Sequence, residues 1–178
     1  MKRLGAVAVL VAVLCLAWGE TVAAALWDLV WKADSEMHGH FTDRFLGAVG
    51  FGYSRMVAPP MVVTDFMWLN IDGEGYKLGT LELIGIAKHE SPVAFVDILH
   101  NFPESRRQTR ELSAFEQTAI RKLAAGENVV VETAGNRRRV VGALRAGETC
   151  LRCHPGYGQG DMLGALSYRL DRARVPTE

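Results

Sequence analysis

Cys150, Cys153 and His154 stand in the pattern C-x-x-C-H, close to the end of a 178-residue chain. No other feature restricts what this chain can become as strongly. Pro155, Gly156, Tyr157 and Gly158 follow at once, so no helix is expected to begin at the motif. The segment from Gly160 to Leu170 then alternates like a strand, with Met162, Leu166, Tyr168 and Leu170 facing one way. The motif is thus expected in a glycine-rich loop between β elements. The chain's third cysteine, Cys15, lies far away in the first twenty-five residues.

Four chemistries use a C-x-x-C pair. A thiol–disulfide redox site depends on a thiol of depressed pKa, usually at a helix N-terminus after a strand; the Pro-Gly sequence argues against one here. Structural zinc wants four ligands, and Cys150, Cys153 and His154 supply three. A plain disulfide between Cys150 and Cys153 closes a ring too small to staple anything. Covalent attachment of haem uses both thiols and the adjacent histidine at this spacing. The sequence reading is therefore one haem c, linked through Cys150 and Cys153, with His154 as the proximal iron ligand. Arg145 and Arg152 flank the motif and are candidates for bidentate contacts to the haem propionates.

The rest of the chain says what holds the motif. From Trp27 to Met56 apolar residues recur at helical spacing through Trp31, His38, Phe41, Phe45 and Val49, which predicts a long amphipathic helix ending before Pro59 and Pro60. From Met61 to His100 the pattern is β-rich, with a hairpin about Glu90-Ser91-Pro92. In its first strand Leu81, Leu83, Gly85, Ala87 and His89 share one face, and Glu82, Ile84, Ile86 and Lys88 the other. Ser113 and Glu116 form a capping box for a helix whose buried stripe is Phe115, Ala119 and Leu123 and whose end is Gly126. A second hairpin turns at Ala134-Gly135-Asn136. This order predicts an α+β fold: a largely antiparallel sheet with an N-terminal helical segment and one capped helix packed on it. A four-helix cytochrome bundle is excluded by the β-rich middle.

Residues 1–25 read differently. Lys2 and Arg3 precede an apolar run from Leu4 to Gly19, the layout of a secretory signal, or of an anchor if it extends past Glu20. Export to the periplasm or the outer face of the membrane is the expectation, with the chain cleaved and soluble or tethered at its N-terminus. Residues 26–60 form the helical segment and residues 61–178 the haem domain. Without residues 1–25 the only cysteines are those of the motif. Twenty basic and twenty acidic side chains balance, which removes any general field for nucleic acid. The run Arg137-Arg138-Arg139 reads as a solvated strand end.

Phe115-Glu116, Gly126-Glu127, Cys150 to His154 and Leu163-Gly164-Ala165 together carry a resemblance. Over roughly residues 80 to 170 the chain resembles the exported monohaem c-type cytochrome domains with a PAS-like fold. The resemblance implies a PAS-like sheet and a distal iron ligand, where there is one, on the N-terminal helical segment. His38 is the first candidate, on the apolar stripe; His40 points away from that stripe. His89 is the second candidate, and Met37, Met56 and Met61 follow. His100 reads as a loop residue. Members of that group are often sensory domains joined to transmitter modules. None is recognisable here, so signalling is expected to run through a partner protein. Two functions follow: electron transfer or redox reporting with both axial positions filled, or a haem module that binds a diatomic gas. Catalysis is not expected, since no Ser/His/Asp group, paired carboxylates or nucleotide loop is present.

Overall fold

The computed structural model describes residues 30–47, 68–95 and 109–173. The chain divides into two compact units, Met1–Val30 and Trp31–Glu178. The first lies outside the described residues apart from Val30, so the architecture below is that of the second. The signal or anchor expected over residues 1–25, the candidates Met56 and Met61, and the loop residue His100 also lie outside the described residues. Among those residues no helix is long and apolar enough to cross a membrane.

The fold is α+β, with a strongly curled, mostly antiparallel sheet and a few helices. The strands are β1 (Val30–Trp31), β2 (Trp68–Ile71), β3 (Glu74–Gly85), β4 (Val93–Phe95), β5 (Thr109–Arg110), β6 (Val129–Ala134), β7 (Arg137–Arg145) and β8 (Met162–Arg172). The helices are α1 (Asp34–Gly47), α2 (Ala114–Ala124) and the single turn α3 (Glu148–Leu151). The sheet order is β1-β2-β3-β8-β7-β6, with β4 also on β3 and β5 on β4. The last strand, β8, therefore lies between β3 and β7.

Both expected hairpins are present. β3 and β4 pair as Leu83 with Phe95 and Gly85 with Val93; β6 and β7 pair from Val129–Gly142 to Ala134–Arg137. Gly135 sits at the second turn with φ of 59°, where glycine avoids a Cβ clash. The β3 face pattern begins at a bulge. The register with β8 shifts between Leu78 and Thr80, so Tyr76 and Leu78 join Leu81 and Leu83 on one face despite opposite sequence parity. That face meets Leu166, Tyr168 and Leu170 of β8, while Ile84 meets Ala165 across the other.

The two helices take opposite faces. α2 packs on Ile84, Val141, Ala143 and Ala165 through Ala119 and Leu123, with Phe115 and Ile120 at the margin. The predicted capping box is there: Glu116 N–H donates to Ser113 Oγ, and the Glu116 carboxylate accepts from Ser113 N–H. In place of Phe115, however, Glu116 is one of the three buried residues of α2. α1 buries Asp34, Met37, His38 and Phe41, spaced i, i+3, i+4 and i+7, against the other face. Val140 and Val141 are both fully buried, as adjacent residues of a strand covered on both sides must be.

Three expectations change. The helix predicted from Trp27 starts only at Asp34. Val30–Trp31 is a strand, and Lys32 N–H donates to Glu36 Oε2 at 2.7 Å, fixing the helix entry. β3 stops at Gly85, because Ile86 N–H and Ala87 N–H both turn to the Leu163 carbonyl and Lys88 adopts φ of 66°. Ala87 and His89 therefore leave the strand. The arginine run is not simply solvated: Arg137 pairs with Asp171, Arg138 with Asp34, and Arg139 with Glu132.

Candidate functional site

The motif sits on a loop pinched at its neck. Ala146 N–H donates to the Asp161 carbonyl at 2.8 Å, and Gly160 N–H donates back to the Ala146 carbonyl at 2.8 Å. The excursion from Gly147 to Gln159 thus leaves and rejoins the sheet at one point, as a compact surface loop. Gly160 allows the return with φ of 88°. Beside the neck Gly158 N–H donates to Asp161 Oδ2 at 2.7 Å.

Inside the loop the backbone winds. Cys150 N–H donates to the Gly147 carbonyl at 2.9 Å, and Cys153 and His154 N–H both donate to the Cys150 carbonyl at 3.1 Å. The expectation that no helix begins at the motif needs correcting: α3 runs into it and carries Cys150. The Pro155-Gly156 sequence acts only afterwards, stopping propagation. Because residues three and four apart are neighbours on a helical turn, Cys150, Cys153 and His154 are grouped on one short segment. Cys150 is buried, Cys153 is exposed, and neither is in a disulfide. The His154 ring is half-buried and meets the Tyr157 ring edge-on at 5.9 Å.

The donor set fits covalent haem. Two unbridged thiols and an imidazole lie on one turn, with Cys150 packed into the core and Cys153 exposed. Among the described residues no three His, Cys, Asp or Glu side chains converge to hold a bare metal ion.

The flanking arginines differ. Arg145 donates to Asn128 Oδ1 at 3.2 Å, to the Gly160 carbonyl at 3.3 Å, and to the Leu123 and Glu127 carbonyls at 3.0 Å each. It caps the C-terminal end of α2 and ties it to the motif loop, so its guanidinium is engaged there instead of standing open to a propionate. Arg152 is exposed beside Cys153.

His38 is far from idle. Its Nε2 lies 3.0 Å from the Ala143 carbonyl and 3.3 Å from Thr42 Oγ1, and its Nδ1 lies 2.9 Å from the Tyr168 hydroxyl. A carbonyl only accepts, so Nε2 carries the proton and Nδ1 accepts from Tyr168. Burial pushes the His38 pKa below its ordinary 6.5, against the opposing pull of the Ala143 carbonyl. Burial likewise pushes the Tyr168 hydroxyl well above 10.0. The ring lies over Gly142, where any Cβ would collide with it. Met37 is fully buried on the same helix.

His89 is placed otherwise. It is exposed on the turn after β3, with its ring laid back over Gly85 and edge-on to Phe95 at 5.6 Å. A cleft of about 420 Å³ lined by Glu74, Gly75, Asn136, Arg172 and Ala173 lies at the other end of the sheet, away from the motif.

Sequence reasoning missed two polar clusters. Under α2, Arg110 donates to Glu116 Oε2 at 2.8 Å and Oε1 at 2.7 Å and also pairs with Glu82; Ser167 Oγ donates to Glu116 Oε1 at 2.8 Å. Burial by itself would raise the Glu116 pKa. Arg110, Ser113 and Ser167 outweigh it and hold the carboxyl at about 2, against an ordinary 4.5. Under α1, Asp34 pairs with Arg138, whose guanidinium lies 5.8 Å from the Tyr76 ring centre. The capping box marked Glu116, but nothing local marked Arg110, Asp34 or Tyr168 as partners.

No family model, curated protein or solved structure matches the chain.

Proposed function

We propose that the chain is an exported monohaem c-type cytochrome acting in electron transfer or redox reporting. Cys150 and Cys153 would carry the thioether links, and His154 the proximal bond to iron. The observation that carries this reading is the winding of Cys150, Cys153 and His154 into one turn, with both thiols unbridged. When bound, haem supplies a one-electron iron couple. The protein's part is to hold that group on a loop closed at Ala146, Gly160 and Asp161 and braced to α2 through Arg145. Arg152 is the arginine beside the motif left to meet a propionate.

A PAS-like form of the sheet belongs to the same proposal. It is supported by β8, the last strand, entering the sheet between β3 and the β6–β7 hairpin. Export rests on Lys2, Arg3 and the apolar run after them. The electron or signal would pass to a partner protein.

A second reading, a module that binds a diatomic gas and acts through a partner, is favoured by one observation. Both ring nitrogens of His38 are engaged by Tyr168 and Ala143, so the first candidate for the far side of the iron is occupied elsewhere.

The test is the full chain matured with haem-attachment machinery, extracted with acid–acetone and recorded oxidised, reduced, and reduced under carbon monoxide. Haem that stays with the protein, and is lost in the Cys150→Ala, Cys153→Ala double variant, is the expected result. Haem that extracts freely would return the motif to thiol redox chemistry. A large shift under carbon monoxide would favour the gas-binding reading.

A further inference from the structure

Four of the chain's five histidines are described, and their surroundings sort them. His154 belongs to the motif. His38 spends both ring nitrogens inside the α1–sheet contact. His40, two residues on, projects from a different side of α1 and packs against Phe41 at 5.8 Å. His89 alone is exposed and lies at the end of the sheet from which the motif loop departs.

That placement follows from β8. The turn carrying His89 is tied to Leu163, which accepts from Ile86 N–H at 3.4 Å and Ala87 N–H at 3.0 Å. The neck of the motif loop is tied to Asp161, two residues earlier. At the rise of an extended strand the two anchors are about 7 Å apart. The β7–β8 register shifts there, from Leu144–Gly164 to Arg145–Met162, so a bulge at Leu163 lies where loop and turn meet the sheet.

The turn also directs the imidazole. Lys88 takes φ of 66°, and His89 N–H donates to the Ile86 carbonyl at 3.3 Å, which folds the chain back. A Cβ on Gly85 would stand 2.8 Å from His89 Nε2 and 2.8 Å from Phe95 Cε2. Glycine at position 85 is therefore what lets the ring lie on the sheet end, with Phe95 as an apolar wall. Gly85 pairs directly with Gly164, so two neighbouring strands carry no side chain at this point.

We propose that His89 is the second protein ligand of the iron, and that His38 is a structural residue of the α1 contact. The proposal rests on the haem reading of Cys150, Cys153 and His154. An exposed imidazole can offer a ring nitrogen without dismantling the core, whereas His38 would have to abandon Tyr168 and Ala143 and leave a buried carbonyl unpaired.

The experiment compares the full haem-loaded chain with His89→Ala, His38→Gln and Gly85→Ala. The readouts are the spin state by electron paramagnetic resonance, the reduced spectrum under carbon monoxide, and the midpoint potential. The parent chain is expected to be low-spin and inert to carbon monoxide. His89→Ala converts most of the iron to high-spin, admits carbon monoxide and raises the potential, and added imidazole restores the low-spin spectrum. Gly85→Ala moves in the same direction, less far. His38→Gln keeps the parent's spin state and carbon monoxide inertness while losing stability. Covalent haem with His89→Ala still low-spin overturns the assignment, as does a parent chain that already binds carbon monoxide. Absence of covalent haem from the parent overturns the haem reading and the ligand with it.

Discussion

α1 and α2 lie on opposite faces of the same strands, and the chain fastens them by different means. α2 presses Ala119 and Leu123 onto Ile84, Val141 and Ala165, and its one buried carboxylate, Glu116, is partnered largely by residues close in sequence, Arg110 and Ser113. α1 buries Asp34 and His38 beside Met37 and Phe41, and both polar groups find partners more than a hundred residues away, in β7 and β8. α2 is an apolar contact with a local clamp. α1 is held by a latch of directed hydrogen bonds, whose strength depends on geometry and protonation. A helix of the second kind moves or detaches more readily when one group changes.

Removing the clamp is the largest blow. Glu116→Ala leaves Arg110, Ser113 and Ser167 facing a gap and is expected to destabilise the chain by about 3 kcal/mol, measured by urea unfolding. Retained coupling between Arg110 and Glu82 would keep the loss toward the lower end. Gly142→Ala comes next, at about 2 kcal/mol, since the new methyl meets the His38 ring. Its effect should be confined to one face: amide exchange accelerates along α1 while α2 keeps its protection. Equal acceleration on both helices would mean that the latch and the clamp are one cooperative unit.

The smallest effect separates the two by pH. Because burial holds His38 below 6.5, the unfolded chain takes up that proton first. The stability due to neutral His38 is present above pH 6.5 and is lost as pH falls below it. Glu116, held at about 2 against 4.5, keeps its contribution above pH 4.5 and loses it between there and about 2. Unfolding free energy measured against pH should therefore decline in two windows. His38→Gln reduces the upper one to what His40, also held below 6.5 by burial, contributes, and Glu116→Gln flattens the lower.

The same division governs what was legible. The capping box at Ser113 and Glu116, the turn at Gly135 and the C-x-x-C-H spacing are local signals, each complete within a few residues, and each appears in the structure. The start of α1 was misjudged by seven residues, from Trp27 to Asp34, because helical spacing continues through Trp31 while the backbone there is already a strand. The end of β3 was misjudged because the carbonyl that turns Ile86 and Ala87 aside belongs to Leu163, far along the chain. His38 stood out as a histidine on an apolar stripe, and that pattern is shared by iron ligands and by core residues whose nitrogens are bonded inside.

By itself, then, the order of residues determined the two hairpins, the capped helix and the grouping of two thiols with an imidazole, since these depend on backbone preferences and on spacing along one segment. The tertiary structure decided which face each helix covers, that Arg145 braces α2, that Tyr168 and Ala143 engage His38, and that the turn bearing His89 shares an end of the sheet with the motif loop. Those outcomes hang on register, where a bulge at Gly79 or a shift at Leu144 re-aims every side chain beyond it, and register is set by pairing between distant strands.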